Sequence, residues 1–278
     1  MDGRDGDTEL EGIETGLLLE GLYRRYGVDL RNYAPGALRR RLRARMQAEG
    51  VGTVSGFQEK ALHDPECLER LLLELSSQGL GMFRDPEFYR AFRRKVVALL
   101  RTYPYVRIWQ AGCSTGEEVY STAILLEEEG LYQRCRIYAT DPSRQAIDRA
   151  REGAFPLSAV RDYTRNYLEA GGRGEFSDYY AAWEGRAWLR PELKRNLVFS
   201  EHNLATDGSF NEFQVVLCRD VMLSFDRSLQ GRVHELIYES LGMFGVFALG
   251  SRESLRLSPR EACYETLDAP NRLYRKVM

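Results

Sequence analysis

The residues best suited to chemistry lie in one short run, Trp109-Gln110-Ala111-Gly112-Cys113-Ser114-Thr115-Gly116-Glu117-Glu118, where glycines and two carboxylates follow an apolar stretch. Glycine lets the backbone approach a ligand closely, and Glu117 or Glu118 can accept hydrogen bonds from an ammonium group. Twenty-nine residues after Gly112, the segment Arg136-Ile137-Tyr138-Ala139-Thr140 ends in Asp141. An acid there can take both ribose hydroxyls of a nucleoside. A dinucleotide site would instead show G-x-G-x-x-G aimed at a pyrophosphate, and would not place two acids beside an anion. Spacing and charge together point to S-adenosylmethionine. The plainer alternative makes Gly112 and Gly116 turn residues and Asp141 the cap of a helix starting near Ser143.

These residues need a strand, a tight turn and a helix to hold them. Residues 106–111 are apolar and β-rich, and 117–129 read as a helix, so the glycine turn sits at the carboxyl end of the first strand of a βαβ unit. Ligands of open α/β sheets bind at that edge. Further strands are expected at 196–200, 213–218 and 245–250, with 273–278 as a last edge strand and helices at 143–152 and 228–241. The fold class is therefore α/β, a doubly wound, Rossmann-like sheet. The tyrosine-, glycine- and charge-rich stretch 162–195 is too long for a connection and predicts a small β insertion.

Upstream the pattern is helical. Leu17, Leu18, Leu22 and Tyr26 form one stripe, Leu38, Leu42 and Met46 a second, and Leu68, Leu71, Leu72 and Leu75 a third. Residues 13–76 thus predict an N-terminal helical bundle, and 77–104 a link that opens at Gly79 and Gly81 and continues as a helix over 86–101. Residues 1–12, rich in Asp and Gly, read as a disordered tail.

Composition narrows the function. The chain has 278 residues, 44% of them apolar, and a net charge of −2, which gives no global pull toward nucleic acid. No run approaches the length of a membrane span and the first residues carry no signal-peptide pattern, so the expected location is the cytoplasm. The five cysteines, at positions 67, 113, 135, 218 and 263, show no C-x-x-C spacing, and His63, His202 and His234 are scattered, so no metal site is expected.

Read in order, the motifs resemble those of the CheR-type methyltransferases, which esterify glutamates of bacterial chemoreceptors. The resemblance covers residues 14–278. It rests on Met82-Phe83-Arg84-Asp85-Pro86, on the run from Ala111 through Gly116-Glu117-Glu118 to Ser121, on Ala139-Thr140-Asp141, on His202-Asn203-Leu204, on Cys218-Arg219-Asp220-Val221 and on Leu249-Gly250-Ser251-Arg252-Glu253-Ser254-Leu255. It implies an N-terminal helical domain, a methyltransferase sheet and a β subdomain inserted in it. By position, Arg84 would lie near the transferable methyl, Ala111 with Glu117 or Glu118 would hold the methionine part, Asp141 the ribose, and Asn203 with Leu204 the adenine side. Leu80, Gly112, Cys218 and Asp220 complete the implied cofactor contacts, and Arg84, Asp220 and Ser224 the catalytic set.

Three positions depart from the family pattern. Asp220 stands where an Asn is usual, Ser224 where a Tyr is usual, and Leu80 where a Thr precedes the Phe-Arg pair. An ionised carboxylate about 4 Å from an acceptor carboxylate costs about 4 kcal/mol at an effective dielectric of about 20. Either Asp220 points elsewhere or the acceptor is a neutral nucleophile whose proton it can receive. A signalling module with weak or lost transfer is a further alternative. The arginines at 39, 40, 41, 43 and 45 share the predicted helix of Leu38, Leu42 and Met46, leaving five guanidiniums on its outer face that are not all neutralised locally. An acidic helical region of a chemoreceptor-like partner suits such a face, as solvent alone also does. The stretch Tyr179-Tyr180-Ala181-Ala182-Trp183 is expected to serve the core of the insertion.

Overall fold

The computed structural model describes residues 3–76, 80–256 and 258–278, with 3–8 as backbone only. Four helices come first, α1 (Gly3–Tyr26), α2 (Pro35–Ala48), α3 (Val54–His63) and α4 (Pro65–Ser76). Helix α1 starts well inside the stretch expected to be disordered, because once a helix is seeded each added residue costs little and gains a bond. Proline at the first turn of α2 and Thr53, which accepts from Gly56 N at 3.1 Å, fix where α2 and α3 begin. Leu18, Leu22, Leu38, Leu42, Met46, Leu68, Leu71, Leu72 and Leu75 are buried together with Phe57 as one core. Leu17 is not among them: it is 57% exposed, since its neighbour Leu18 takes the inward face with Leu22 and Tyr26. Gly79 lies outside the described residues.

The predicted 86–101 helix is two, α5 (Pro86–Lys95) and α6 (Val97–Leu100). The chain then winds through β1 (Val106–Ala111), α7 (Glu117–Glu128), β2 (Cys135–Asp141) and α8 (Arg144–Glu152). Next come β3 (Ala154–Pro156), α9 (Val160–Glu169), β4 (Tyr180–Trp183) and β5 (Arg186–Leu189), followed by β6 (Leu197–Glu201), β7 (Phe213–Cys218), α10 (Arg227–Ser240), β8 (Leu241–Leu249), β9 (Tyr264–Asp268) and β10 (Leu273–Lys276). The main sheet runs β6-β2-β1-β7-β8-β10-β9. Strands β6, β2, β1, β7 and β8 are mutually parallel, and β10 lies antiparallel between β8 and β9. The last strand is therefore not the edge. Strand β9, Tyr-Glu-Thr-Leu-Asp on a half-solvated border, takes that place.

The insertion is a second sheet, β3-β5-β4, with α9 packed beside it. It begins at β3, before residue 162, and holds a helix that the expected small β insertion did not contain. Phe176 and Tyr179 are buried in it, whereas Trp183 is 63% exposed. Glu128, at the end of α7, accepts from Arg93, from Tyr167 and Tyr179 of the insertion and from Arg173 N, tying the insertion to the main sheet. No helix among the described residues is long and apolar enough to cross a membrane.

Candidate functional site

The strand order reverses on either side of β1, with β2 to one side and β7 to the other. A crevice opens there at the carboxyl ends of the strands, as doubly wound sheets require. It encloses about 830 Å³ of empty space, part of it open to solvent. Leu80, Arg84, Gly112, Glu117, Glu118, Asp141, Asn203, Leu204, Asp220 and Ser224 all line it. Ala111 and Cys218, the last residues of β1 and β7, do not. Both are fully buried between neighbouring strands, so only their backbone ends face the crevice region.

The floor is the turn after β1. Gly112 has φ +69°, and a Cβ there would sit 2.5 Å from Val221 Cγ2. That fixes how closely the turn and the loop after β7 approach. Ser114 N donates to Asp141 Oδ2 at 3.0 Å, while Ser143 N and Ser76 Oγ donate to Asp141 Oδ1 at 3.0 and 2.7 Å. Asp141 is 1% exposed, and burial pushes its carboxyl up from the usual range against the pull of those donors. The capping reading is partly met, since Ser143 itself caps α8 and Asp141 supports Ser143. Glu117, 6% exposed, is likewise pushed up by burial, with Thr115 Oγ1 donating to it at 2.7 Å. A cationic ligand would compensate both acids.

The mouth is a charge lattice. Arg219, with 1% of its side chain exposed, donates to Glu118 at 2.8 Å and to Asp85 at 2.7 Å, and its guanidinium stacks 3.9 Å from the Phe88 ring centre. Arg84 does not pair with Asp85 or Glu87. It meets Asp220 Oδ2 at 2.7 Å and stands 3.9 Å from Glu118. Asp220 has φ +59°, and Phe83, Asp85 and Ser114 are also left-handed, at 50, 57 and 47°, so strained backbone surrounds this one crevice. Glu253 holds the loop, accepting from Asp220 N, Met222 N and Gly250 N at 2.8, 2.7 and 2.8 Å.

The helical domain closes the side. Tyr33, Leu75 and Ser76 line the crevice, Ala34 N donates to Ser224 O at 2.8 Å, and Asp226 N donates to Asn32 O at 2.9 Å. Ser224 is buried in this seam. Residue reasoning missed Arg219, Glu253, Tyr33 and Ser76 as parts of the site. The first two sit inside motifs already quoted, and an arginine or glutamate flanked by apolar strand ends is the signal that could have found them. Tyr33 and Ser76 carry no local signal, because only the docking of two domains brings them here.

The basic face of α2 is less bare than its sequence suggests. Arg41 pairs with Glu74 at 3.1 Å, Arg43 with Glu11 at 2.6 Å and Arg45 with Glu49 at 3.3 Å. These acids come from α1, α4 and the end of α2 itself, which the linear sequence keeps apart. Arg39 donates to the carbonyl of Pro35 at 3.4 Å, and Arg40 is exposed.

The crevice fits a nucleoside sulfonium by its own chemistry. Ser114 Oγ and Asp220 Oδ1 are buried in its wall without a hydrogen-bond partner, and the buried acids Glu117 and Asp141 flank its floor. Residues 80–269 match the CheR methyltransferase SAM-binding domain, and residues 14–76 match the CheR methyltransferase all-alpha domain. A Pseudomonas putida protein named "Putative methyltransferase Cher3" is 45% identical over 264 residues, covering 95% of this chain and 97% of the relative. "Chemotaxis protein methyltransferase 2" of Pseudomonas aeruginosa is 28% identical over 84% of each chain. A solved Geobacter sulfurreducens SAM-dependent methyltransferase in complex with S-adenosyl-L-homocysteine aligns with a TM-score of 0.35 at 14% identity, over 66% of this chain and 54% of that one. The chain belongs to the CheR methyltransferase family, and its cofactor is S-adenosylmethionine.

Proposed function

We propose that this protein is a protein-glutamate O-methyltransferase that acts in the cytoplasm on a chemoreceptor-like signalling protein. The observation that carries the reading is Arg84, a guanidinium with a quarter of its side chain exposed at the mouth of a crevice whose floor is acidic. When bound, S-adenosylmethionine supplies an electrophilic methyl on a sulfonium. In this reading Asp141 meets the ribose, Glu117 or Glu118 the amino-acid end, and Asn203 with Leu204 the adenine side. A glutamate has a pKa of about 4.3 and is already ionised at neutral pH, so no general base is needed. The protein's work is to align and dehydrate the carboxylate, effects of which proximity alone is worth about 7–11 kcal/mol. The half-buried Arg39 and the exposed Arg40 give an acidic acceptor helix a place to approach.

A second reading rests on the Arg84–Asp220 pair at 2.7 Å. An arginine already neutralised by a buried acid offers an incoming carboxylate little, whereas Asp220 could accept the proton of an amine or hydroxyl. One experiment separates the two. Labelled cofactor is incubated with the protein and a receptor cytoplasmic fragment, and the product is treated with base. Base-labile label on glutamate is expected. Base-stable label moves the assignment to an amine acceptor, and no label on any acceptor removes the transferase reading.

A further inference from the structure

A second cavity lies beside the loop that follows β7, next to the cofactor crevice. It holds about 1010 Å³ of empty space, part of it open to solvent, between the start of α10 and the loop after β8. Arg227, Arg252 and Arg256 line it. Arg252 comes no closer than 4.0 Å to a carboxylate, that of Asp220, and its side chain is 71% exposed. Arg227 and Arg256 have no carboxylate partner among the described residues. Glu253 is the one acid in the lining, and all three bonds it accepts come from backbone amides. His234, 6% exposed, lines the same cavity with its Nδ1 buried and unpartnered. Burial holds that imidazole down at about 4, so the positive charge at neutral pH comes from the arginines alone.

Unpaired guanidiniums gathered round one hollow repel one another unless an anion joins them. The hollow is far larger than a single phosphate. It is also continuous with the site: Met222 walls it, Asp220 and Val221 just before it wall the crevice, and the same loop carries the bonds from Asn32 and Ala34 that anchor the start of α2. A chain whose reacting residue lies at Arg84 can therefore pass over Arg252 and set further acids among Arg227 and Arg256. We propose that this cavity docks an acidic peptide segment, and, resting on the reading of the acceptor given above, that the segment flanks the methylated residue.

The test is binding of a labelled oligoglutamate peptide to the full chain without cofactor, followed by fluorescence anisotropy at fixed ionic strength. Arg227→Gln with Arg256→Gln is expected to weaken binding about tenfold. S-adenosylhomocysteine affinity should stay unchanged, which shows the fold intact, and Arg227→Lys with Arg256→Lys should restore most of the peptide affinity. Peptide affinity unchanged in the Gln pair overturns the proposal. So does loss confined to Arg39→Gln with Arg40→Gln, which would place the peptide on α2, and so does inorganic phosphate competing as well as the peptide, which would make the cavity a small-anion site. Because no transfer is measured, the cavity assignment fails or stands independently of whether a glutamate ester forms.

Discussion

Two buried aspartates line one crevice, and the protein treats them differently. Asp141 is 1% exposed and receives three internal donors, from the turn after β1, the start of α8 and the end of α4. Asp220 is 6% exposed, meets one guanidinium through Oδ2, and keeps Oδ1 without a hydrogen bond. A carboxylate has about four lone-pair directions, so Asp141 is nearly saturated while Asp220 is not. The first acid is preorganised by the scaffold, whose donors hold it in place before any ligand arrives. The second is held more loosely, one oxygen buried without a hydrogen bond and the other on Arg84, a quarter of whose side chain is exposed. In the proposed reading, binding and transfer would draw on separate acids with separate supports.

The contrast breaks most visibly at the saturated end. Asp141→Asn replaces an accepting oxygen with an amide that opposes one of the incoming donors, and S-adenosylhomocysteine affinity should fall about a hundredfold by calorimetry. Unchanged affinity would leave Asp141 a purely structural support of Ser143. Behind Asp220 the next effect is one of pH. Burial pushes Glu253 up to about 6 from an ordinary 4.5, so the folded chain binds the extra proton inside that window and this group's contribution to stability falls as pH rises through it. The drop is about 2 kcal/mol. Glu253→Gln cannot titrate, so its stability gap to the wild type in urea denaturation should narrow by that amount between about pH 4.5 and about pH 7. A gap that stays constant would mean that Glu253 keeps its ordinary ionisation when folded. The smallest effect belongs to Asp220→Asn, which releases Arg84. Carboxyl transfer, read as kcat/KM on a receptor fragment, should rise about tenfold with cofactor affinity unaltered. A fall instead favours the neutral acceptor.

The sheet and the floor of the crevice were legible because both are local in sequence. Periodicity marks β1 and β7, and Gly112 and Asp141 follow strand ends at the spacing that a βαβ unit imposes. Strand β9 was missed since its five residues alternate weakly and follow an irregular loop. Helix α9 was missed because its stretch was read by composition as β. The limits of the site reading have a different cause. That Arg84 faces Asp220 and not Asp85, that Arg219 takes Asp85 instead, and that α2 loses three arginines to Glu74, Glu11 and Glu49 are outcomes of long-range pairing. Charge pairing of that kind has no period to detect.

The seam formed by Asn32, Ala34 and Ser76 makes the small helical domain part of the nucleoside chamber as well as its neighbour. Anything that draws α2 outward must loosen the Ala34–Ser224 tether, and with it the crevice wall at Ser224. Linkage is reciprocal, so if the proposed partner docks on α2, the free energy by which it reshapes the crevice equals that by which a bound cofactor alters the grip on it. On that proposal, exchanging helical domains between relatives would change small-molecule affinity along with partner choice.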